Sequence, residues 1–344
     1  MSAGVVQLIA IGAQDKYIMG NPEISFFSST FKRHANFSQS VEKQTIHGAV
    51  KNNSMSSVQF ERSGDLLSYV YFTLDDKTQA LDIQRWDTII DKVELLIGGS
   101  VIDTQDSAFT EKIAIDTFAQ NVSRSANGTH PGISARSFFY PLRFFFCEGP
   151  QCALPLVALN YHNVEIRIYW ATAAANYNVE CYANYYYLDN EERGQVASRK
   201  HDLLITQVQK NIPSGTLVQE LTFNHPVKYL ASSDTTTDGA LTSPTNKVKL
   251  NINGLDVNNY KWGKPHFIDV TSYYHTNFVT SPDFFLYCFC LSTSSLQPTG
   301  TLNFSRVSSA SIMSESMKIN DPIYAVNYNI LRVENGMAGL LYAN

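Results

Sequence analysis

An internal duplication constrains the fold of this chain more than any other feature of its sequence. The segments Lys92 to Gly99 and Lys247 to Gly254 share the pattern Lys-Val-x-Leu-x-Ile-x-Gly. In each copy a mostly apolar run leads to a Gly-Gly or Asn-Gly pair, and a second short apolar run follows. Glycine and asparagine accept the positive φ angles that tight hairpin turns require. The pattern therefore predicts two β-hairpins of the same design.

A second repeated pattern, Phe-Cys followed by Pro and then Leu-Asn, occurs later in each half with identical spacings. Its copies are Phe146-Cys147, Pro155 and Leu159-Asn160, then Phe289-Cys290, Pro298 and Leu302-Asn303. A weaker pair aligns Phe60 with Phe223. A repeat of this length excludes solenoids, whose periods run about 20–50 residues. The chain is therefore predicted to contain two copies of one whole domain.

Short strands separated by turn residues, without an alternating helix, favour an all-β fold of antiparallel sandwiches. In the first half, strands are predicted at residues 42–50, 56–61, 67–74, 92–97, 138–146 and 164–170. In the second half they are predicted at residues 203–209, 217–223, 247–252, 284–291, 301–307 and 325–333. One helix is predicted at residues 107–123, capped by Asp106 or Ser107. The polar tract at 232–245 is predicted to be a surface loop.

Composition and charge narrow the class of protein. The length of 344 residues suits about two ordinary domains. A net charge of -5 implies no strongly basic face, so no direct nucleic-acid binding is expected. The five cysteines favour a reduced compartment over a disulfide framework. The sequence begins without the pattern of a signal peptide, and no apolar run has the length of a bilayer span.

Motifs that would carry catalysis were not found in the sequence. The P-loop, the dinucleotide-binding glycine motif, the zincin helix motif and the nucleophile elbow are all missing from it. We therefore expect no enzyme activity, no catalytic residue, no cofactor and no metal site.

Histidine and cysteine offer the nearest alternatives to a purely structural role. His162 and His225 lie beside predicted strands and could act as metal ligands or general bases. Packing or turn hydrogen bonding is favoured, because no second ligand recurs at a suitable spacing. Four thiols could form a zinc site, but their spacings depart from C-x2-C and inward-facing apolar thiols explain them better. These are Cys147, Cys152, Cys288 and Cys290.

Two carboxylate clusters and two aromatic runs each have a functional and a structural interpretation. Glu191-Glu192-Arg193 and Asp75-Asp76 could serve glycoside hydrolysis, but solvated turn charges are the commoner case. Phe144–Phe146 and Tyr185–Tyr187 could stack on sugars or bases. They lack interleaved basic residues, so core or interface packing is the favoured interpretation.

Several motifs, in order along nearly the whole chain, resemble the major capsid proteins of nucleocytoplasmic large DNA viruses, such as iridoviruses and chlorella viruses. In the first half they are Gly12-Ala13-Gln14-Asp15, Gly20-Asn21-Pro22-Glu23-Ile24, Phe31-Lys32-Arg33-His34-Ala35-Asn36-Phe37, Ala153-Leu154-Pro155-Leu156 and Leu188-Asp189. In the second half they are Phe223-Asn224-His225-Pro226-Val227, Gln297 to Arg306, Asn327-Tyr328-Asn329-Ile330-Leu331-Arg332 and Gly336-Met337-Ala338-Gly339-Leu340. The chain is short for this family.

This resemblance implies two tandem eight-stranded antiparallel jelly-roll sandwiches with few short helices. The expected domains are an N-terminal arm at 1–24, a first jelly roll at 25–190 and a second at 191–344. It implies a homotrimer forming a pseudo-hexagonal capsomer that tiles an icosahedral virion shell. Expected partners are neighbouring capsomers, minor capsid and penton proteins, and the inner viral membrane through the arm. The expected location is the virion capsid, assembled in the host cytoplasm.

Three other kinds of protein remain open on the sequence alone. Jelly rolls also occur in soluble carbohydrate-binding proteins, which an exposed aromatic platform or a calcium-type carboxylate cluster would indicate. A β-sandwich glycosidase would need a carboxylate pair in a cleft. A minor or vertex capsid protein would share the fold and differ in its abundance in particles.

Overall fold

The computed structural model describes residues 3–75, 86–118, 120, 139–233, 239–277 and 284–343. It contains two compact units, Met1–Asn36 and Phe37–Asn344. The first unit holds two short helices, α1 (Ala3–Ile9) and α2 (Asp15–Met19), neither of which has a buried residue. The predicted boundary of the arm at residue 24 stays a prediction.

The first sandwich of the larger unit contains ten strands in the ranges that the structure describes. They are β1 (Phe37–Gln44), β2 (Ile46–His47), β3 (Met55–Gln59), β4 (Leu66–Leu74), β5 (Ile90–Ile97), β6 (Ser100–Asp106), β7 (Phe139–Pro141), β8 (Leu154–Pro155), β9 (Val164–Trp170) and β10 (Val179–Leu188). One sheet has the order β1-β10-β4-β7, with β8 paired to β4, and the other has the order β2-β3-β9-β5-β6. All of these pairs are antiparallel.

The second sandwich repeats this plan. Its strands are β11 (His201–Asn211), β12 (Val218–Glu220), β13 (Pro226–Ser233), β14 (Lys247–Ile252), β15 (Leu255–Asp256), β16 (Lys261–Trp262), β17 (Phe284–Cys288), β18 (Leu302–Asn303), β19 (Ala310–Ser314), β20 (Ile323–Glu334) and β21 (Met337–Leu340). One sheet has the order β11-β20-β13-β17, with β18 and β21 attached. The other has the order β12-β19-β14-β15, with β16 paired to β14.

The two sandwiches have equivalent strand orders, which confirms the predicted pair of jelly rolls. Counterparts in chain order are β1 and β11, β3 and β12, β4 and β13, β5 and β14, β6 and β15, β7 and β17, β9 and β19, β10 and β20. The repeated Lys-Val pattern lies on β5 and β14. Both hairpin turns use positive φ, at 59° and 82° for Gly98 and Gly99 and at 51° and 79° for Asn253 and Gly254.

Short helices and 3-10 turns connect the strands. In the described residues of the larger unit the α-helices are α3 (Ala114–Thr117), α4 (Asn190–Ser198) and α5 (Thr271–His275), and π-helical turns span Phe109–Ile113 and Gly263–Val270. The 3-10 turns are Trp86–Thr88, Phe145–Cys147, Pro150–Cys152, Leu156–Ala158, Ala174–Asn176 and Phe304–Arg306. The described part of the predicted helix at 107–123 is the π turn with α3. Asp106 caps it, since Oδ1 accepts from Phe109 N at 2.8 Å.

Each sandwich encloses its own apolar core. Along β9, buried residues alternate with half-buried ones, as expected for a strand with one face on a core. The first core contains Trp86 and Trp170, and the second contains Phe267 and Phe285. Removing this apolar surface from water supplies the main driving force for the fold.

Several predictions of local structure were wrong. Strands β10, β13 and β19 and helix α4 were not predicted. The predicted strands at 138–146 and 301–307 are mostly 3-10 turns and extended chain. The described part of the predicted surface loop at 232–245 is largely buried. Ser232 and Ser233 are buried at the end of β13, and Ala240 and Leu241 join the second core. The polar composition of this segment did not predict its burial, because buried hydroxyl groups can bond to the backbone. Ser232 Oγ, for example, donates to Pro322 O at 2.8 Å.

Candidate assembly site at the junction of the sandwiches

The sheet β11-β20-β13-β17 of the second sandwich is buried on both of its faces. Seven of the eight residues of β13 are buried, as are the first seven of β20. Side chains alternate between the two faces of a strand. Accordingly, Leu230 and Ala325 enter the second core, while Tyr229 and Tyr324 enter a separate cluster that also contains residues of the first sandwich. This sheet therefore joins the two jelly rolls.

The cover for the outer face comes from the segment that follows β6 of the first sandwich. We call residues 106–118 the first cap segment. Its Phe109, Ile113 and Phe118 pack with Tyr229, Phe284 and Tyr324. The ring centroids of Phe109 and Tyr324 lie 5.6 Å apart. Aromatic pairs at this separation contribute stability beyond their buried area.

Asp106 anchors the first cap segment at its start. Besides capping the π turn, its carboxylate accepts hydrogen bonds from Lys210 Nζ at 2.6 Å and from Tyr324 Oη at 2.8 Å. Both donors belong to the second sandwich. Hydrogen bonds to an ionised acceptor are stronger than neutral ones, so a single side chain fixes the position of the segment against the sheet.

A second carboxylate lies deeper in the junction. Asp103 Oδ1 accepts from Val208 N of the second sandwich at 2.9 Å, and Oδ2 accepts from Gln105 Nε2 at 2.8 Å. Burial raises the pKa of the Asp103 carboxyl to about 7, although these hydrogen bonds favour its charged form. Gln207 donates across the same boundary to the Ile102 carbonyl oxygen. Together these contacts connect β6 to β11.

Strands β20 and β21 close another part of the junction. Leu331, Val333 and Ala338 of the second sandwich join the core of the first. Tyr161 N donates to Gly336 O at 2.9 Å, and the ring nitrogen Nδ1 of His162 lies 3.0 Å from Ala338 O. Backbone and side chain thus both contribute to this contact.

A buried cation occupies the same boundary. Lys228 on β13 is 2% exposed, and its ammonium donates to Thr293 O at 3.0 Å. The ammonium also lies 5.1 Å from the centre of the Tyr328 ring. Burial lowers the pKa of Lys228. Across a small cavity lies the buried Glu148, whose Oε1 is 3.9 Å from Arg143. Glu148 belongs to the first sandwich, and its charge partly offsets the lowering of the Lys228 pKa by burial.

The two histidines singled out in the sequence have backbone-related roles. His162 contacts β21, as described above. His225 is buried, adopts a positive φ of 65°, and its N–H donates to Ser305 Oγ at 2.8 Å. Among the residues the structure describes, no three His, Cys, Asp or Glu side chains lie together as a metal ion would require.

The four cysteines considered for zinc lie at the edges of the junction as free thiols. Cys147 and Cys290 are buried, and burial raises the pKa of Cys147 to about 12. Cys288 and Cys290 interact with each other: their hydrogen bond raises the pKa of Cys288 and lowers that of Cys290. The structure thus does not bring the Phe-Cys thiols of the two halves into one site.

The carboxylate pairs and aromatic runs are dispersed. Glu191 and Glu192 form the first turn of α4, and Asp75 accepts from Asn178 Nδ2 at 3.1 Å, while Asp76 lies outside the described residues. Phe144–Phe146 belong to the first core. Tyr185 is also buried there, whereas Tyr186 and Tyr187 are half-buried.

Two tandem jelly rolls, packed together through a sheet of the second that is covered on both faces, are the architecture of double-jelly-roll capsid proteins. Residues 25–189 match the family model described as major capsid protein N-terminus, and residues 231–339 match that of the large eukaryotic DNA virus major capsid protein. The major capsid protein of Pyramimonas orientalis virus is 32% identical over 400 residues, and that of Paramecium bursaria Chlorella virus 1 is 31% identical over 443. Both alignments cover all of both chains.

Solved structures agree with the sequence matches. The quasi-atomic model of the PBCV-1 virus capsid superimposes with a TM-score of 0.77 and 26% identity, covering 93% of this chain and all of that one. The Faustovirus major capsid protein shares the fold, with a TM-score of 0.63 and 11% identity. The chain belongs to the major capsid protein family of large eukaryotic DNA viruses. Its 344 residues are fewer than the 400 and 443 alignment positions, so these relatives contain segments that this chain lacks.

Proposed function

We propose that three copies of this chain form a pseudo-hexagonal capsomer and that such capsomers tile an icosahedral shell. The observation that carries the proposal is the equivalence of the two jelly rolls, held together by one doubly covered sheet. Three copies present six similar sandwiches, and a six-sided block suits hexagonal tiling. A closed ring also covers sheet edges and faces that would otherwise aggregate.

The native mass and the outline of the purified protein test this proposal. We expect about three times the chain mass of 38.5 kDa by light scattering. Negative-stain images should show a particle with a six-sided outline. A stable monomer without such an outline would contradict the proposal. Low abundance of the chain in purified virions would instead favour a minor or vertex capsid protein.

We propose that the N-terminal unit, residues 1–36, which contains the predicted arm at 1–24, binds inner components of the virion. Apolar side chains on it are exposed, among them Leu8 at 75%, Phe26 at 87% and Phe27 at 100%. Lys32 and Arg33 add positive charge, which suits an anionic membrane surface. In the described ranges, no helix combines the length and apolar character needed to cross a bilayer. Flotation with anionic vesicles, comparing the full chain with one lacking residues 1–36, measures this binding.

The same family membership supports a structural role without catalysis. We propose that the chain has no enzyme activity, that its other partners are neighbouring capsomers and minor or penton proteins, and that assembly occurs in the host cytoplasm. Imaging of tagged protein in infected cells tests the last point. Accumulation of capsids in the nucleus would contradict it.

A further inference from the structure

The second sandwich contains a counterpart of the first cap segment. Lys92 pairs with Asp106 across β5 and β6, and its repeat partner Lys247 pairs with Trp262 across β14 and β16. Trp262 therefore occupies the position of Asp106. A π-helical turn and then a short α-helix follow in both halves. We call residues 262–275 the second cap segment.

The second cap segment exposes large apolar side chains, in contrast to the first. Phe109 and Ile113 of the first are fully buried under the neighbouring sheet. In the second, Trp262 is 46% exposed, Tyr273 79% and Tyr274 72%. Aromatic side chains of this size are enriched in protein interfaces, where they bury large areas with little loss of conformational entropy.

The first sandwich contains the matching face, which has exposed side chains in the part of the chain that the structure describes. This face is the outer side of β1-β10-β4-β7, the counterpart of the sheet that the first cap segment covers. Its aromatic rings contact one another, with centroids 5.5 Å apart for Tyr71 and Tyr182 and 6.1 Å apart for Tyr71 and Phe139. At its edges, Val41 is 43% exposed and Tyr69 is 39% exposed. We call it the aromatic face.

The register of the strands places equivalent residues at the two docking positions. Lys210 pairs with Tyr324 across β11 and β20, and both bind Asp106 of the first cap segment. Lys43 pairs with Tyr182 across β1 and β10 in the same way. In the first sandwich this pair binds Glu180 of its own strand. The aromatic face thus has the same Lys-Tyr pair beside an exposed patch, with Glu180 as the acceptor of its hydrogen bonds.

We propose that the second cap segment of one copy covers the aromatic face of the next copy, with Trp262 close to Tyr182 of its neighbour. This contact between two chains repeats the contact that joins the two sandwiches within one chain. It is a head-to-tail interface, and such interfaces form rings when the rotation closes. The inference rests on the proposed function for the number of copies, three.

Two variants with matched exposure test the contact. Val41 and Val218 are each 43% exposed on a strand, but only Val41 lies on the aromatic face. V41R should reduce the native mass from three chains towards one, since a buried charge without a partner is costly. V218R should keep the wild-type mass. Circular dichroism and the melting temperature show whether V41R is folded.

Photo-crosslinking detects the contact between chains without disrupting it. A benzophenone amino acid at position 262 should link to a peptide containing residues 66–74 or 179–188 of another chain. A trimeric wild type with links to other regions, and a trimeric V41R, would overturn the inference while leaving the proposed function intact. A monomeric wild type would overturn both.

Discussion

Lys92 and Lys247 begin the two copies of the repeat, and each makes the same kind of contact in its own sandwich. The Lys92 ammonium lies 4.1 Å from the centre of the Tyr169 ring, and that of Lys247 lies 4.7 Å from the Trp262 ring. Both are cation–π contacts on an outer sheet surface. The repeated lysine therefore has a surface role, while the Val and Leu that follow it fill the cores.

Asp103 predicts an unusual dependence of stability on pH. Burial raises its folded-state pKa to about 7. The pKa of an aspartate in an unfolded chain is about 4, so the folded state binds this proton more tightly. The contribution of Asp103 to stability is therefore full below about pH 4 and is lost as the pH rises to about 7. D103N should remove a decrease in the free energy of unfolding of up to about 1.4 kcal/mol per pH unit.

The measurement is the free energy of unfolding of wild type and D103N between about pH 5 and pH 8. The difference between the two should shift in favour of D103N as the pH rises. Asp202 is a suitable control, because its exposed pair with Arg332 lowers its pKa and should give little change over this range. Parallel curves for wild type and D103N would contradict the prediction.

The Gly98-Gly99 turn offers a second comparison at the residue scale. Both glycines have positive φ, so alanine at either position costs about 1–2 kcal/mol of strain. A Cβ on Gly98 would lie 2.3 Å from His162 Nδ1, which contacts Ala338, whereas a Cβ on Gly99 meets nothing within 4 Å. G98A should therefore lower the melting temperature further than G99A. Equal losses in a thermal melt would show that His162 adds nothing to the junction.

The sequence could predict the turn and the repeat but not the two aspartates. Hairpin glycines are recognisable because the backbone requirement is local. Asp103 and Asp106 owe their roles to Val208, Lys210 and Tyr324, which lie about a hundred or more residues away. Neither aspartate has a second copy in the repeat, since Trp262 replaces Asp106. Their contacts follow from packing, which a single sequence does not contain.

At the scale of elements, the number of buried faces separates β9, which could be predicted from the sequence, from β13, which could not. β9 alternates regularly and was predicted over its full length. β13 is buried on both faces, so its sequence lacks an alternating pattern, and the polar residues Lys228, Ser232 and Ser233 obscured it further. Continuous apolar runs are expected of doubly covered strands. Here the buried polar groups are satisfied by backbone carbonyls, as with Lys228 and Thr293.

The first cap segment predicts a large effect from one substitution. F109A should destabilise the chain by about 3–5 kcal/mol, because Phe109 is fully buried between Phe118 and Tyr324. Urea unfolding measures the loss, and a dye that binds apolar surface should report the uncovered sheet. F27A in the N-terminal unit is the control, since Phe27 is 100% exposed. A loss below about 1 kcal/mol for F109A would mean that the segment is dispensable.

At the scale of the whole molecule, the junction makes the two jelly rolls one structural unit. The link between them is α4, whose residues are not buried. A protease site inserted after Ser198 should allow the chain to be cut there. The halves should stay together on size exclusion, because the junction buries Tyr229, Phe284 and Tyr324 against the first sandwich. Separate elution of the halves would show that the link, rather than the junction, holds them.

The doubly covered sheet has a consequence for the order in which the chain is made. Synthesis proceeds from the N-terminus, so residues 106–118 leave the ribosome long before β13, β17 and β20 exist. Until then Phe109 and its neighbours have no surface to cover. The incomplete chain therefore exposes an apolar surface during much of its synthesis, and such surfaces promote aggregation. We expect chaperones that bind apolar surface to raise the yield of folded protein.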